Sequence, residues 1–282
     1  MRIGIGLPNG VPGTDASLLL EWSHKADNGP FSSLAVIDRF VYDSYEPLTA
    51  LAAAAVVTKR VRLATTIVIG PLRNSAALAK TAASVDALSG GRLVLGLSVG
   101  ARQDDYQVAE VNYRHRGSLF DSQLSSIREL WRSGAIAPTS ARPGGPPILV
   151  GGLSDETFVR IARYADGYIH GGGPPQAFAR AADRARAAWR DMGRPGLPQL
   201  WGQGYFALGN ETAERGAAYL KHYYDFTGPF AEKIAAGLLN TTQSVIHYVK
   251  GYEEAGCDEL VLMPTLGEAH QLDRLADVCA SL

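Results

Sequence analysis

The chain has 282 residues, of which 46% are hydrophobic and 20% are charged, and its formal net charge is −1 at pH 7. A chain of this size can bury a large core, and its near-neutral charge gives no field that would attract nucleic acid or an anionic membrane surface. The longest apolar run, LTALAAAAVV, is far shorter than the ~20 residues that span a bilayer. We therefore expect neither nucleic-acid binding nor membrane insertion.

The first residues and the cysteines indicate the compartment. MRIGIGLPNG is typical of a first strand, and it lacks the basic start, long apolar middle and cleavage site of a signal peptide. Cys257 and Cys279 are the two cysteines, with no CxxC motif. Because such cysteine usage is typical of reduced proteins, we expect a cytoplasmic location.

Short β-rich runs alternate with longer amphipathic runs along the chain. The predicted strands, in order, are RIGIGLP, SLAVID, VRLATTIVIG, RLVLGLSVG, ILVGGL, ADGYIHG, LWGQGYFAL and DELVLMP. The predicted helices are LLLEWSHKA, LTALAAAAVVTK, AALAKTAASVDAL, SQLSSIRELWRS, ETFVRIARYA, FARAADRARAAWRDM, ETAERGAAYLKHYY and QLDRLADVCA. Many of the strands are nearly continuous apolar runs, which is typical of strands buried on both faces.

This alternation predicts right-handed βαβ units and a parallel sheet. Eight strands in ~250 residues match a closed (β/α)₈ TIM barrel, which we take as a single domain over residues 1–282. The alternative is an open doubly wound sheet with the dinucleotide motif G-x-G-x-x-G. GIGLPNG nearly fits that motif, but Asn9 stands where the third glycine belongs, and the glycines lie inside the apolar run.

Two glycine clusters follow successive predicted strands. Gly151 and Gly152 end ILVGG, and Gly171, Gly172 and Gly173 follow the next strand. Late strand ends of a barrel commonly hold phosphate against backbone N–H groups and a helix N-terminus, and glycine leaves the backbone open to an anion. Either cluster alone fits a simple chain turn, but the two together favour a phosphate-bearing cofactor.

Polar residues stand at other strand ends. Asp38 and Arg39 end the second strand, where a side chain of a barrel commonly faces the ligand, and Arg39 is positioned to pair with Asp38 or with substrate. Thr65 and Thr66 interrupt the third strand. His170 precedes the second glycine cluster and is the histidine that we expect nearest to a ligand; the histidines are scattered and predict no metal site.

A serine hydrolase is a competing interpretation. GLSVG, at 96–100, matches the motif G-x-S-x-G, and HGGG, at 170–173, matches an oxyanion loop. In that fold the oxyanion loop precedes the nucleophile, whereas here it follows Ser98. A triad would then need Asp258 and His270.

Three segments resemble one family of enzymes. LSGGRLVLGLSVG, ARYADGYI and YEEAGCDELVLMP are similar, in this order and spacing, to segments of the luciferase-like flavin- and deazaflavin-dependent oxidoreductases. The resemblance spans nearly the whole chain. It implies a barrel with an insertion before the last strand, a homodimer, a small-molecule substrate, and coenzyme F420 (a deazaflavin) or FMN across the strand ends.

The resemblance also implies roles for single residues. Asp38 matches a residue near the reactive ring, Thr66–Ile67 matches a cis bulge that backs the ring, and Asp104 is placed near a polar site residue. The phosphate-binding positions match Gly151, Gly152, Gly172 and Gly173. The family often has histidine where Arg39 stands, and its sugar-phosphate dehydrogenases have glutamate where Ala101 stands.

The resulting hypothesis is hydride transfer between reduced F420 and a small organic molecule, with Arg39, Asp104 and His170 as candidates for proton delivery. An FMN-dependent monooxygenase and a non-catalytic flavin-binding barrel remain alternatives. The arginines from Arg180 to Arg194 predict a solvated helix face, with contact to an anionic cofactor tail as the second interpretation.

Overall fold

One parallel sheet closes on itself. The computed structural model describes residues 1–209 and 211–282. Its strands are β1 (Arg2–Gly6), β2 (Ser33–Val36), β3 (Arg62–Thr65), β4 (Val68–Ile69), β5 (Leu93–Ser98), β6 (Ile148–Gly151), β7 (Gly167–Ile169), β8 (Gln199–Phe206) and β9 (Glu259–Pro264). The ring runs β1-β2-β3-β5-β6-β7-β8-β9 and returns to β1, with every pair parallel. The predicted (β/α)₈ barrel is confirmed.

The third predicted strand is broken in two. β3 stops at Thr65, the Thr66–Ile67 peptide is cis, and the short β4 follows outside the ring, paired with β5. The break lies at the carboxyl end of β3, which is the end where ligands bind in this fold.

Helices surround the ring. They are α1 (Ala16–Asn28), α2 (Pro47–Val57), α3 (Ser75–Leu88), α4 (Gln103–Val108), α5 (Arg116–Arg132), α6 (Asp155–Tyr164), α7 (Pro175–Asp191), α8 (Ala213–Tyr223), α9 (Phe230–Ala236), α10 (Thr242–Glu254) and α11 (Ala269–Cys279). In the described residues no helix has the length and apolarity needed to cross a bilayer.

Alternation along each strand separates two cores. On β5, Leu93 and Leu95 face the helices, whereas Val94 faces the barrel interior. At the closed end of the interior, the buried carboxylate of Glu259 accepts a hydrogen bond from Ser33 Oγ and pairs with Arg2 and Arg62. Because a buried charge is tolerated only when it is paired, this cluster ties β9 to the first three strands.

The predicted insertion lies between β8 and β9. Its residues 213–236, from α8 to α9, are called the insertion below. Tyr219, Leu220 and Tyr223 of α8 pack against interior residues of the barrel such as Ile37 and Met263. The insertion therefore covers the barrel mouth on the side of β1, β2, β8 and β9.

Candidate functional site

The floor of the uncovered half of the mouth is apolar and has little side-chain bulk. Ile67 is half-buried, and its Cγ2 lies 3.4 Å from the position that a Cβ would take at Gly96 and at Gly151. Thr66 beside it is buried, and its hydroxyl donates to Val36 O at 3.3 Å. Ile67 thus presents an apolar surface between β5 and β6 on which a planar ring could rest.

Asp38 pairs with Arg73, not with Arg39. Its two oxygens accept from the Arg73 guanidinium at 2.7 and 3.1 Å, and Oδ2 also accepts from Ile69 N–H at 2.9 Å. Burial raises the pKa of the Asp38 carboxyl, and Arg73 opposes that rise. Burial alone would lower the pKa of Arg73, but Asp38 and Glu46 raise it above its ordinary value. Asp38 therefore braces the strand segment that follows Ile67.

Arg39 is directed to the insertion. It donates to Tyr223 O at 3.0 Å and to Val41 O at 3.2 Å, and its guanidinium lies 4.0 Å from the ring centre of Tyr42. Burial, and then the neighbouring charge of Arg102, lower the pKa of Arg39. Of the two partners expected for Arg39, Asp38 is wrong, because Arg73 already occupies both of its carboxylate oxygens.

Asp104 lies at the start of α4 and contacts Arg102. Partial burial would raise the pKa of Asp104, but hydrogen bonds from Arg102 and from Asp105 N–H lower it. The carboxylate is therefore ionised near neutral pH and is poorly suited to donate a proton. Arg102 also stacks over Phe226, which connects the loop after β5 to the insertion.

The first glycine loop, residues 151–154, follows β6. Gly152 is exposed and has a φ of +134°. Arg184 of α7 donates to Leu153 O at 3.0 Å and contacts Asp155. An arginine that was predicted on a solvated helix face thus supports this loop.

The second glycine loop, residues 171–174, follows β7 and leads into α7. Among the described residues, the backbone N–H groups of Gly171, Gly172 and Gly173 have no hydrogen-bond acceptor. Gly172 has a φ of +106°, and a Cβ there would lie 3.3 Å from Gln203 O. Unpaired N–H groups at the start of a 17-residue helix are suited to an anion.

His170 faces the helices behind this loop. Tyr168 Oη lies 2.8 Å from His170 Nδ1 and has no other partner in the described chain, so we assign the tyrosine as donor and the proton of the imidazole to Nε2. Nε2 is buried with no partner among the described residues, and it lies 4.0 Å from where a Cβ of Gly173 would be. Burial lowers the pKa of His170 to about 4. The neutral ring presents a donor to the second glycine loop.

The covered half of the mouth contains a polar chain that the sequence did not indicate. Gln203 Nε2 donates to Tyr205 Oη at 3.1 Å, and Tyr205 Oη lies 2.6 Å from Tyr224 Oη. The other amide atom, Gln203 Oε1, is buried and has no partner in residues 1–209 and 211–282. The alternation of β8 could have placed Gln203 and Tyr205 inside the barrel, but only the fold shows that Tyr224 reaches them.

The residues of the hydrolase interpretation do not form a triad. Ser98 Oγ accepts from Gly100 N–H at 3.3 Å. Asp258 precedes β9 at the closed end of the barrel, whereas His270 lies on α11 with its Nε2 3.2 Å from a carboxylate oxygen of Glu268. Ser98 therefore serves the turn after β5.

The sequence and the fold are similar to one group of proteins. A family model described as luciferase-like monooxygenase matches residues 1–257. An uncharacterized protein of Mycobacterium tuberculosis (strain ATCC 25618 / H37Rv) is 29% identical over 215 residues, which cover 64% of this chain and 74% of that protein. The pyrimidine monooxygenase RutA of Escherichia coli (strain SMS-3-5 / SECEC) is 27% identical over 201 residues, which cover 63% of this chain and 53% of RutA.

Solved structures share the fold at low sequence identity. The monooxygenase RslO1 from Streptomyces bottropensis has a TM-score of 0.80 at 19% identity, with 100% of this chain and 98% of that chain covered. An F420-dependent secondary alcohol dehydrogenase, solved with an F420-acetone adduct, has a TM-score of 0.81 at 16% identity, with 98% and 97% covered. Since the family model covers nearly all of the barrel, the chain belongs to the luciferase-like monooxygenase family.

Proposed function

We propose that the chain is an oxidoreductase that binds coenzyme F420 and transfers a hydride between it and a small organic substrate. The observation that carries the proposal is the pair of glycine loops at successive strand ends, since the first lies beside Ile67 and the second offers unpaired N–H groups at the start of α7. Members of the family are oxidoreductases or monooxygenases that use F420 or FMN. A homodimer and a cytoplasmic location belong to the same proposal.

The residues present fit a phosphate-bearing ring cofactor. Gly172 and Gly173 would hold its phosphate through their N–H groups, and Gly151 and Gly152 would allow close approach beside Ile67. When bound, the deazaflavin supplies a ring carbon that accepts or donates a hydride. Ile67 would support one face of the ring, and Asp38 holds the segment that carries Ile67 through its bond to Ile69 N–H.

The charges of the site limit proton delivery. Asp104 is ionised and His170 is neutral and faces the helices, so neither is a good acid at neutral pH. Arg39 is held by the insertion. Tyr224 is the half-buried end of the chain of hydroxyls through Tyr205, and burial raises the pKa of its phenol, so that it stays protonated. We assign proton delivery to Tyr224.

An FMN-dependent monooxygenase is the second candidate, because RslO1 and RutA are named as monooxygenases. The two functions differ in their use of O₂. The test follows oxidation of reduced F420 with a panel of ketones, imines and activated alkenes under nitrogen, and oxygen uptake with reduced FMN in air. Substrate-dependent oxidation of reduced F420 in the absence of oxygen supports our proposal. Substrate-dependent oxygen uptake with reduced FMN, and no oxidation of reduced F420, supports the monooxygenase.

A further inference from the structure

Helix α10 meets the second glycine loop from behind. Tyr252 Oη donates to Gly173 O at 3.0 Å, and Tyr248 Oη lies 2.9 Å from Gly173 O and 2.8 Å from Gln203 O. Burial raises the pKa of both phenols, so both remain protonated donors. The carbonyl that ends the loop is therefore held on the α10 side.

Glycines on α10 and β8 leave space for the rings of Tyr248 and Tyr252. Tyr248, Gly251 and Tyr252 share one face of α10, as their spacing requires. A Cβ at Gly251 would lie 2.6 Å from Pro175 Cγ, so glycine there lets α10 approach the start of α7. On the outer face of β8, a Cβ at Gly202 or at Gly204 would collide with the Tyr252 and Tyr248 rings, at 2.4 and 2.7 Å respectively.

The packing of the two tyrosines determines whether N–H groups or a carbonyl oxygen of the second glycine loop face a bound anion. A carbonyl oxygen turned toward a phosphate repels it, whereas an N–H group attracts it. Gly173 precedes Pro174, which has no N–H of its own, so the Gly173–Pro174 peptide offers its carbonyl only. With that oxygen bonded to hydroxyls behind the loop, the unpaired N–H groups of Gly171, Gly172 and Gly173 are what remains for a ligand.

We propose that Tyr248 and Tyr252 are positioning residues of the phosphate site, and that their hydroxyls hold the Gly173 carbonyl away from the phosphate. The proposal rests on the proposed function, since it takes the second glycine loop as the place where the cofactor phosphate binds. The two tyrosines act on the phosphate group and leave binding of the ring unchanged.

The test compares ligands with and without the phosphate. Dissociation constants are measured for FMN against riboflavin, and for F420 against its phosphate-free deazariboflavin precursor. The proteins are the wild type, Tyr248→Phe, Tyr252→Phe and the double variant. Tyr219→Phe is the matched control, because it removes another buried tyrosine hydroxyl that donates to a backbone carbonyl, Gly10 O, on the covered side of the mouth.

We expect the preference for the phosphorylated ligand to fall by at least ~10-fold in the double variant and by a few-fold in each single variant. The affinity for the phosphate-free ligand stays at the wild-type value, and Tyr219→Phe keeps the wild-type preference. Phenylalanine retains the ring packing, and circular dichroism checks the fold. If the double variant does not fold, the preference of the two single variants for the phosphorylated ligand tests the proposal.

Two results would overturn the proposal. One is a folded double variant, or two folded single variants, that keep the wild-type preference for phosphate. The other is an equal loss of affinity for both members of a ligand pair, which would indicate general loosening of the loop. A wild-type protein that binds none of the four ligands would instead remove the proposed function, and this proposal with it.

Discussion

Gly172 combines a φ of +106° with a close approach to Gln203 O. Any side chain there adds backbone strain, but an acidic one also places a negative charge at the proposed phosphate position. We expect Gly172→Asp to abolish cofactor binding, and Gly172→Ala, which adds the strain without the charge, to weaken it moderately. Titration of both folded variants is the check. Unchanged affinity in Gly172→Asp would contradict an anion site at this loop.

Asp38 and Arg73 form a buried ion pair whose side chains are 1% and 14% exposed. Removing one partner of such a pair leaves an uncompensated charge, so Asp38→Ala should lower the free energy of unfolding by about 3 kcal/mol. Arg73 retains Glu46 as a partner, which limits the loss. Urea unfolding of Asp38→Ala, Arg73→Met and the double variant measures the coupling. Additive losses in that cycle would mean that the pair contributes no coupling energy.

The buried imidazole of His170 makes stability depend on pH. Its pKa is about 4 in the folded chain and ~6.5 when unfolded. Between these values the unfolded chain binds a proton that the folded chain does not, so stability falls as the pH is lowered from ~6.5 to about 4, by up to ~3 kcal/mol.

Replacing this imidazole with an uncharged side chain should flatten that part of the profile. We expect His170→Gln to lose less stability than the wild type between those pH values, in urea unfolding at several pH values. His247→Gln, on the exposed face of α10, is the matched control and should follow the wild-type profile. Parallel profiles for His170→Gln and the wild type would show that His170 is not the titrating group.

At the level of elements, the sequence predicted the strands, which have a regular apolar pattern, and missed a helix that depends on tertiary contacts. The eight apolar strand runs are all strands, because burial on both faces leaves a strong local pattern. Helix α10 was missed, since Val245, Ile246, Tyr248 and Val249 favour strands by local propensity. Its capping box at Thr241 and Ser244 and its packing against β8 determine the helix instead.

In the site, too, some features could be predicted from the sequence and others depend on contacts between distant residues. The glycine loops were visible because two clusters follow successive strands. The pairing of Asp38 with Arg73 was not, since 35 residues separate them in sequence. The polar chain from Gln203 to Tyr224 and the tyrosines behind Gly173 depend on the insertion and on α10. Neither contact leaves a periodic signal in the sequence.

Helix α7 carries arginines of two kinds. Arg184 and Arg186 bind acidic side chains or backbone carbonyls, whereas Arg180 and Arg190 are exposed and have no ion-pair partner in the part of the chain that the structure describes. Arg180 lies near the second glycine loop, and Arg190 lies in the last turn of the helix.

Arg180 is therefore the residue of this helix that we expect to meet an anionic cofactor tail. Arg180→Gln should reduce the gain in F420 affinity that comes with a longer glutamate tail, while Arg190→Gln should leave it unchanged. The gain should also disappear at high salt, because exposed charges are screened. Binding titrations with F420 of different tail lengths measure this, and equal effects of the two substitutions would contradict a specific contact.

Over the whole molecule, the barrel mouth is divided in two. The insertion covers the side of β1, β2, β8 and β9, and the glycine loops after β6 and β7 remain exposed on the other. Under the proposed function, the ring of the cofactor would lie over Ile67, and its phosphate and tail would leave past α7. The net charge of −1 gives no general attraction for an anion, so recognition depends on these local N–H groups.

The most direct test of this account is a side-by-side titration of the wild-type protein with F420 and with FMN, with Gly172→Asp as the control. We predict saturable binding of F420 that is tighter than that of FMN, increases with tail length and is lost in Gly172→Asp. Micromolar or tighter binding of FMN without any binding of F420 would contradict the choice of cofactor. Binding of neither ligand would contradict the proposed site.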